Sequence, residues 1–160
     1  GIGKGSIYLH FSSKEEIALS HIDRIIEHLI TKLRKIAGKS DPVNNRLHEM
    51  LVERVLYRFD SVQHYSKSLN ELLTYIRPSL LEHRRKHFDD EARVFATVIT
   101  EGQANDEIIA GDPLDLAKTL VFATNSLLPY NLSTHEIEDR GVVKERTKKT
   151  ADLLIRGLSK

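Results

Sequence analysis

The chain has 160 residues, and its 24 lysines and arginines stand against 23 aspartates and glutamates, for a net charge of +1. That length allows one domain with a real core, and the near-balance argues against coating nucleic acid through bulk charge while leaving room for a specific binder with a few well-placed cations. The absence of cysteine excludes disulfides, thiolate zinc sites and cysteine nucleophiles; no apolar run approaches the roughly 20 residues that span a bilayer and no signal peptide heads the chain, so a soluble cytoplasmic protein without a membrane partner is expected.

Apolar residues recur at threes and fours almost throughout and alternate almost nowhere, which predicts an all-α fold. A short segment from Lys4 to His10 holds Ile7 and Tyr8 between polar neighbours. Ser12 and Ser13 each precede a glutamate by three residues (Glu15, Glu16), the spacing of a capping box. A long helix follows on Leu19, Ile22, Ile25, Ile26, Leu29, Leu33 and Ile36 and stops near Gly38; at ~1.5 Å per residue it is on the order of 35 Å long and can join two packing units. After the turn ending at Pro42, a second helix carries Leu47, Leu51, Val55, Phe59 and Val62, and a shorter one Leu69, Leu72, Leu73 and Ile76.

Pro78 is expected to open a further helix, with Leu81, Phe88, Ala92, Phe95, Ile99 and Gly102 at helical spacing and an end at Asn105-Asp106. Asp112 then caps a helix that Pro113 opens. Its run from Leu116 to Leu128 is apolar nearly all round, so it needs cover on every side, and a second subunit is a natural cover. The last helix, about Val143 to Leu158, sets Val143, Thr147, Ala151, Leu154, Ile155 and Leu158 on one stripe and Lys144, Arg146, Lys148 and Lys149 opposite.

The opening stretch Gly1-Ile-Gly-Lys-Gly-Ser-Ile-Tyr-Leu-His-Phe-Ser-Ser-Lys-Glu-Glu16 carries the most information. A helix entering a major groove must present donors and a thin backbone at its N-terminal end. Lys4 is such a donor, and Gly5 permits close backbone approach. Ser6 and the first-turn amides can donate to a phosphate, aided by the helix dipole. Tyr8 and His10 reach further along, Lys14 is placed to meet a phosphate, and Ile7 and Phe11 point inward. A nucleotide-binding loop does not fit, because that pattern needs four residues before its Gly-Lys-Ser/Thr and a preceding strand.

In the order of Gly1, Lys4, Gly5, Ser6, Ile7, Tyr8, His10, Phe11, Ser13, Lys14 and Glu15 the segment resembles the second half of the helix-turn-helix of TetR-family transcriptional regulators. Thr100-Glu-Gly-Gln-Ala104 and Leu153-Leu-Ile-Arg-Gly-Leu158 are similar to phrases of that family, although Asn105 stands where its members usually have glycine. The resemblance implies that Lys4, Gly5, Ser6, Tyr8, His10 and Lys14 contact DNA, and that the chain starts at the turn of the motif, without the two helices before it. It divides the chain into residues 1–37, an incomplete DNA-binding domain with its recognition helix at about 4–11 and a connecting helix at about 13–37, and residues 38–160, a regulatory and dimerisation domain.

The function so implied is not enzymatic. It is a ligand-responsive repressor that reads a palindromic double-stranded operator as a homodimer, paired through about 113–128 and 143–158 and released by a small molecule. Candidate pocket residues are Tyr57, Phe59, His64, Tyr75, Phe88, Phe95, Phe122 and Asn125, polar or aromatic groups within apolar stripes, for which an apolar or amphipathic ligand is the expected chemistry. No cofactor is expected. His83 and His87 are four apart, but Arg84, Arg85 and Lys86 crowd them, so a solvated charged face is expected there and no metal site. A di-iron bundle would need Glu-x-x-His motifs that are missing; a helical dimerisation module without DNA binding is the other alternative.

Overall fold

The computed structural model describes residues 13–63, 66–129 and 139–160, with no side-chain description for 14, 15, 62–78 and 80–84. Five α-helices are present among these residues: α1 (Lys14–Ala37), α2 (Val43–Gln63), α3 (Ser66–Ala104), α4 (Pro113–Ala123) and α5 (Arg140–Leu158), with a single 3-10 turn at Asn125–Leu127 after α4. No strand is found among the described residues, only an isolated bridge between Ile108 and Ser159. The all-α expectation holds.

The helix ends follow local chemistry. Of the two candidate serines it is Ser13 that caps α1, accepting from the Glu16 amide at 3.1 Å. Asp112 caps α4 through the Asp115 amide at 2.8 Å, with Pro113 as first residue, and Asp139 caps α5 through the Val142 amide at 3.0 Å. Each satisfies a donor that a helix start leaves without an intrahelical partner. Asp112→Ala should cost about 1 kcal/mol, seen as a lower thermal midpoint with unchanged helical content.

Three expectations are corrected. Pro78 does not open a helix: α3 runs unbroken through it for 39 residues. A proline inside a helix forfeits one backbone hydrogen bond, yet the helix continues on both sides of Pro78. The helix after Asp112 ends at Ala123 instead of continuing towards Pro129. The last helix begins at Arg140, three residues ahead of Val143, because Asp139 supplies the cap.

α2 lies at the centre and packs against α1, α3 and α5, while α3 also packs against α1 and α4. The core between them includes Leu29, Leu33, Leu47, Leu51, Val55, Phe59, Phe95 and Ile99, all fully buried. The chain's own helices cover Ala117, Leu120, Val121, Leu127 and Leu128, so most of the apolar surplus expected to need a second subunit is buried within the chain. What remains outside is Phe122 on α4, 60% exposed, and Val142 and Leu153 on α5, 47% and 71% exposed.

The junction at the end of α3 is tight. Asp106 takes a left-handed φ of 62°, which aspartate tolerates better than most residues, and the turn brings the Glu107 and Ile108 amides onto the Gly102 carbonyl. A Cβ at Gly102 would lie 2.5 Å from Ile108 Cγ1 and 2.8 Å from Val43 Cγ1, atoms of buried branched side chains. Gly102→Ala should therefore destabilise the fold by about 1–3 kcal/mol through overpacking, outweighing the better helix propensity of alanine; thermal melts of the two proteins decide it.

Candidate functional site

The residues expected to read DNA, Lys4, Gly5, Ser6, Tyr8 and His10, lie outside the described residues, and Lys14 is described only as the first residue of α1. What the structure gives is their support. α1 leaves its Ser13 cap and docks its Ile26, Leu29, Ile30, Leu33 and Ile36 side in the core. Its C-terminal end is clamped: Arg46 on α2 donates to the Ala37 carbonyl at 2.7 Å and to Glu101 of α3 at 2.9 Å.

The pocket candidates divide. Phe59 and Phe95 are fully buried core side chains. Tyr57 is half-buried with the Lys32 ammonium over its ring at 5.2 Å, and Lys32 also pairs with Glu53 at 2.9 Å. His64 lies outside the described residues, as does the side chain of Tyr75. The other three converge: Phe88 is buried against the edge of Phe122, ring centroids 5.9 Å apart, the Arg54 guanidinium sits over Phe88 at 5.3 Å, and Asn125 is buried against Arg54.

Arg54 is the centre of this group. α2 places Arg54 and Arg58 one turn apart on the buried side that carries Leu47, Met50 and Leu51. Opposite them on α3 stands Glu91, fully buried between Phe88 and Phe95 in the chain. Arg54 Nε donates to Glu91 Oε2 at 2.5 Å, Nη1 to Thr124 Oγ1 at 2.8 Å and Nη2 to Asn125 Oδ1 at 2.8 Å. Arg58 Nη1 donates to Glu91 Oε2 at 3.1 Å, and its Nη2 to Glu91 Oε1. One carboxylate thus serves two guanidiniums. The same network explains the early end of α4: Thr124 and Asn125 turn inward to Arg54, and the chain closes as a 3-10 turn with the Leu127 and Leu128 amides on the Thr124 and Asn125 carbonyls.

Burial works to raise the Glu91 carboxyl, but Arg58 and Arg54 outweigh it and hold the group below the ordinary carboxylate range, so it stays ionised. One turn before Glu91, His87 Nε2 meets Asp23 Oδ1 of α1 at 2.8 Å. His87 is therefore packed against α1 and is not part of the solvated face expected for it. Burial pushes its imidazole down, against the upward pull of Asp23. A histidine whose folded pKa is depressed contributes stability above its unfolded value of about 6.5 and loses it as the pH falls through that range. Between pH 7 and pH 5 the chain should lose more stability than His87→Gln does, measured by urea unfolding at each pH.

No group of three or more metal-ligating side chains occurs among the described residues, and no helix among them is long and apolar enough to cross a membrane.

No protein-family model matches the chain, and no curated protein matches it. Solved structures do. A transcriptional regulator from Cytophaga hutchinsonii ATCC 33406 superimposes with a TM-score of 0.77 at 20% identity, covering 100% of this chain and 83% of that one. A transcriptional regulator of the TetR/AcrR family from Thermobifida fusca YX-ER1 superimposes with a TM-score of 0.67 at 23% identity, covering 97% and 80%. This chain has the fold of these two regulators. The likeness runs over nearly its whole length, although only 20% and 23% of the residues are identical. Sequence reasoning missed the centre of this chain's core, the Arg54–Glu91–Arg58 network. Its signal was present: Arg54 and Arg58 continue the stripe begun by Leu47 and Leu51, and Glu91 falls three residues after Phe88, positions where a charged side chain has to find a partner inside.

Proposed function

We propose that the chain acts in a ligand-responsive DNA-binding transcriptional regulator, as a repressor. The observation that carries this reading is the coincidence of two independent features. A TetR-family fold covers the chain, and the segment immediately ahead of α1 has the Lys4-Gly-Ser-Ile-Tyr8 order and the Ser13-Lys-Glu15 cap of a recognition helix and its successor.

Lys4, Ser6 and Lys14 serve phosphates, while Tyr8 and His10 reach phosphates or base edges; phosphate contacts set the register and base contacts supply specificity. Two copies related by a two-fold axis read a palindrome, paired through residues 113–128 and 143–158. The exposure of Phe122 and Leu153 supports that pairing, since large apolar groups are more usefully placed in an interface than in water. Release follows from population shift: a ligand that prefers one spacing of the two reading heads moves the pair away from the DNA-competent state. α1 is the moving part, because it joins the head to a core that grips it at Asp23, Ala37 and its apolar side.

The test is a mobility-shift assay with the full-length gene product and a duplex from its own upstream region. The wild type should shift it; Lys4→Ala with Tyr8→Ala should abolish the shift while sedimentation still gives twice the monomer mass. Retained specific binding in the double variant removes the recognition-helix assignment, and a monomer at micromolar concentration removes the interface.

A further inference from the structure

Among the described residues the glycines are not used alike. Gly38 closes α1, and Gly111 takes a positive φ of 156°. A Cβ at Gly102 would collide with Ile108 and Val43, and one at Gly141 would lie 3.1 Å from the Asp139 carboxylate that caps α5. Gly157, in the last turn of α5, has none of these reasons. A Cβ there would meet nothing within 4 Å, and its φ is not positive. The helix ends two residues later at Ser159, which is extended at φ −73° and ψ 148°. Glycine in a helix is less stable than alanine because its backbone has more freedom to lose, so within the chain Gly157 is a net loss.

What glycine offers at an exposed helical site is a thin backbone that another helix can approach closely. Leu153 stands one turn before Gly157 on the same side of α5 and is 71% exposed. Val142, three turns before Leu153, is 47% exposed on that side too. A protruding leucine and a bare backbone four residues apart are complementary, but they cannot meet within one helix. A second copy related by a two-fold axis brings them together twice, because a contact that sets residue 153 on residue 157 also sets 157 on 153. Asp152 and Arg156 are exposed, opposite in sign, and beside the same crossing, so the Asp152 of one copy approaches the Arg156 of the other.

We propose that α5 crosses the α5 of a second copy at Gly157, with the Leu153 of each copy seated against the Gly157 of the other. The proposal rests on the homodimer reading above and narrows its pairing face, residues 113–128 and 143–158, to one crossing point. Gly157 is the hole and Leu153 the knob; the glycine's cost to the helix is offset only in the pair.

Sedimentation across a dilution series tests it, with helical content and thermal midpoint followed by circular dichroism. Gly157→Ala should weaken self-association by about ten-fold, while the thermal midpoint of the dilute protein rises by roughly 1–3 °C. Gly157→Leu should weaken association by ~100-fold. Adding Leu153→Ala to Gly157→Leu exchanges knob and hole and should recover about ten-fold of that loss, although Leu153→Ala by itself weakens pairing. A role confined to the fold of one chain moves the midpoint and gives no such recovery. The proposal is overturned if Gly157→Ala or Gly157→Leu associates like the wild type, or if Leu153→Ala restores no association to Gly157→Leu. Should Gly157→Leu fail to fold, Gly157→Ala decides. A wild type that is monomeric at micromolar concentration overturns the homodimer reading itself, whereas a dimer that the Gly157 variants leave unaltered keeps that reading and removes the crossing.

Discussion

Glu91→Ala should destabilise the chain by about 3–5 kcal/mol, the cost of leaving buried charge without its counter-ion. The carboxylate is fully buried and is shared by Arg54 and Arg58. Removing it leaves two guanidiniums one turn apart on α2, each repelling the other in a poorly solvated space. The contrast is with the triple change Arg54→Met, Arg58→Met and Glu91→Leu, which removes all three charges and should be nearly neutral or stabilising, since buried ion networks seldom outperform well-packed apolar groups. Urea unfolding at constant slope reads both values. A loss below about 1 kcal/mol for Glu91→Ala would mean that the arginines reach water once released, and that the centre of the fold is far more open than its burial indicates.

Phe59→Ala should cost a comparable amount, about 3–5 kcal/mol, and Phe122→Ala almost nothing in the isolated chain. The two phenylalanines differ only in surroundings. Phe59 is fully buried where α2 meets the core, and truncation there removes apolar contact and leaves a cavity that rigid neighbours cannot fill. Phe122 is 60% exposed and touches the edge of Phe88. Its effect should appear elsewhere: if α4 lies in the pairing face, Phe122→Ala weakens self-association by about ten-fold or more while thermal unfolding at low protein concentration is unchanged. Sedimentation across a dilution series separates the two effects. An unaltered association constant would place Phe122 outside the interface.

Much of the fold was legible because the helices are amphipathic in the simplest sense. The spacing of Leu29, Leu33 and Ile36 on α1, and of Leu47, Leu51, Val55 and Phe59 on α2, survives translation into buried faces without change. Caps were legible for the same local reason, Ser13 and Asp112 being short acceptors in front of free amides. Pro78 misleads because a rule about helix starts concerns one residue, whereas α3 also packs against α1 and α4 and buries Phe88, Ala92, Phe95 and Ile99. The end of α4 was not legible from its own sequence: Leu127 and Leu128 continue an apolar run, and only the demand of Arg54, seventy residues earlier, turns Thr124 and Asn125 inward.

The candidate site was half legible. Polar or aromatic residues in apolar stripes draw attention to Phe88, Phe122 and Asn125; Phe88 and Asn125 meet Arg54, and Phe122 meets Phe88. The arginines themselves were passed over because charged residues on helices are usually solvated; that Arg54, Arg58 and Glu91 satisfy one another is a long-range fact that helix periodicity does not encode. His87 was misread for a related reason. Its neighbours Arg85 and Lys86 are exposed, yet the ring faces Asp23 on a helix more than sixty residues away.

The central proposal is that this chain reads DNA as a two-fold pair. Hydroxyl-radical footprinting of the full-length protein on its own upstream region tests that most directly. Two protected patches of inverted sequence, one helical turn of about 34 Å or a multiple of it apart, are the predicted result. A single unpaired patch, or a pattern no different from naked DNA at concentrations where the protein is dimeric, would contradict it.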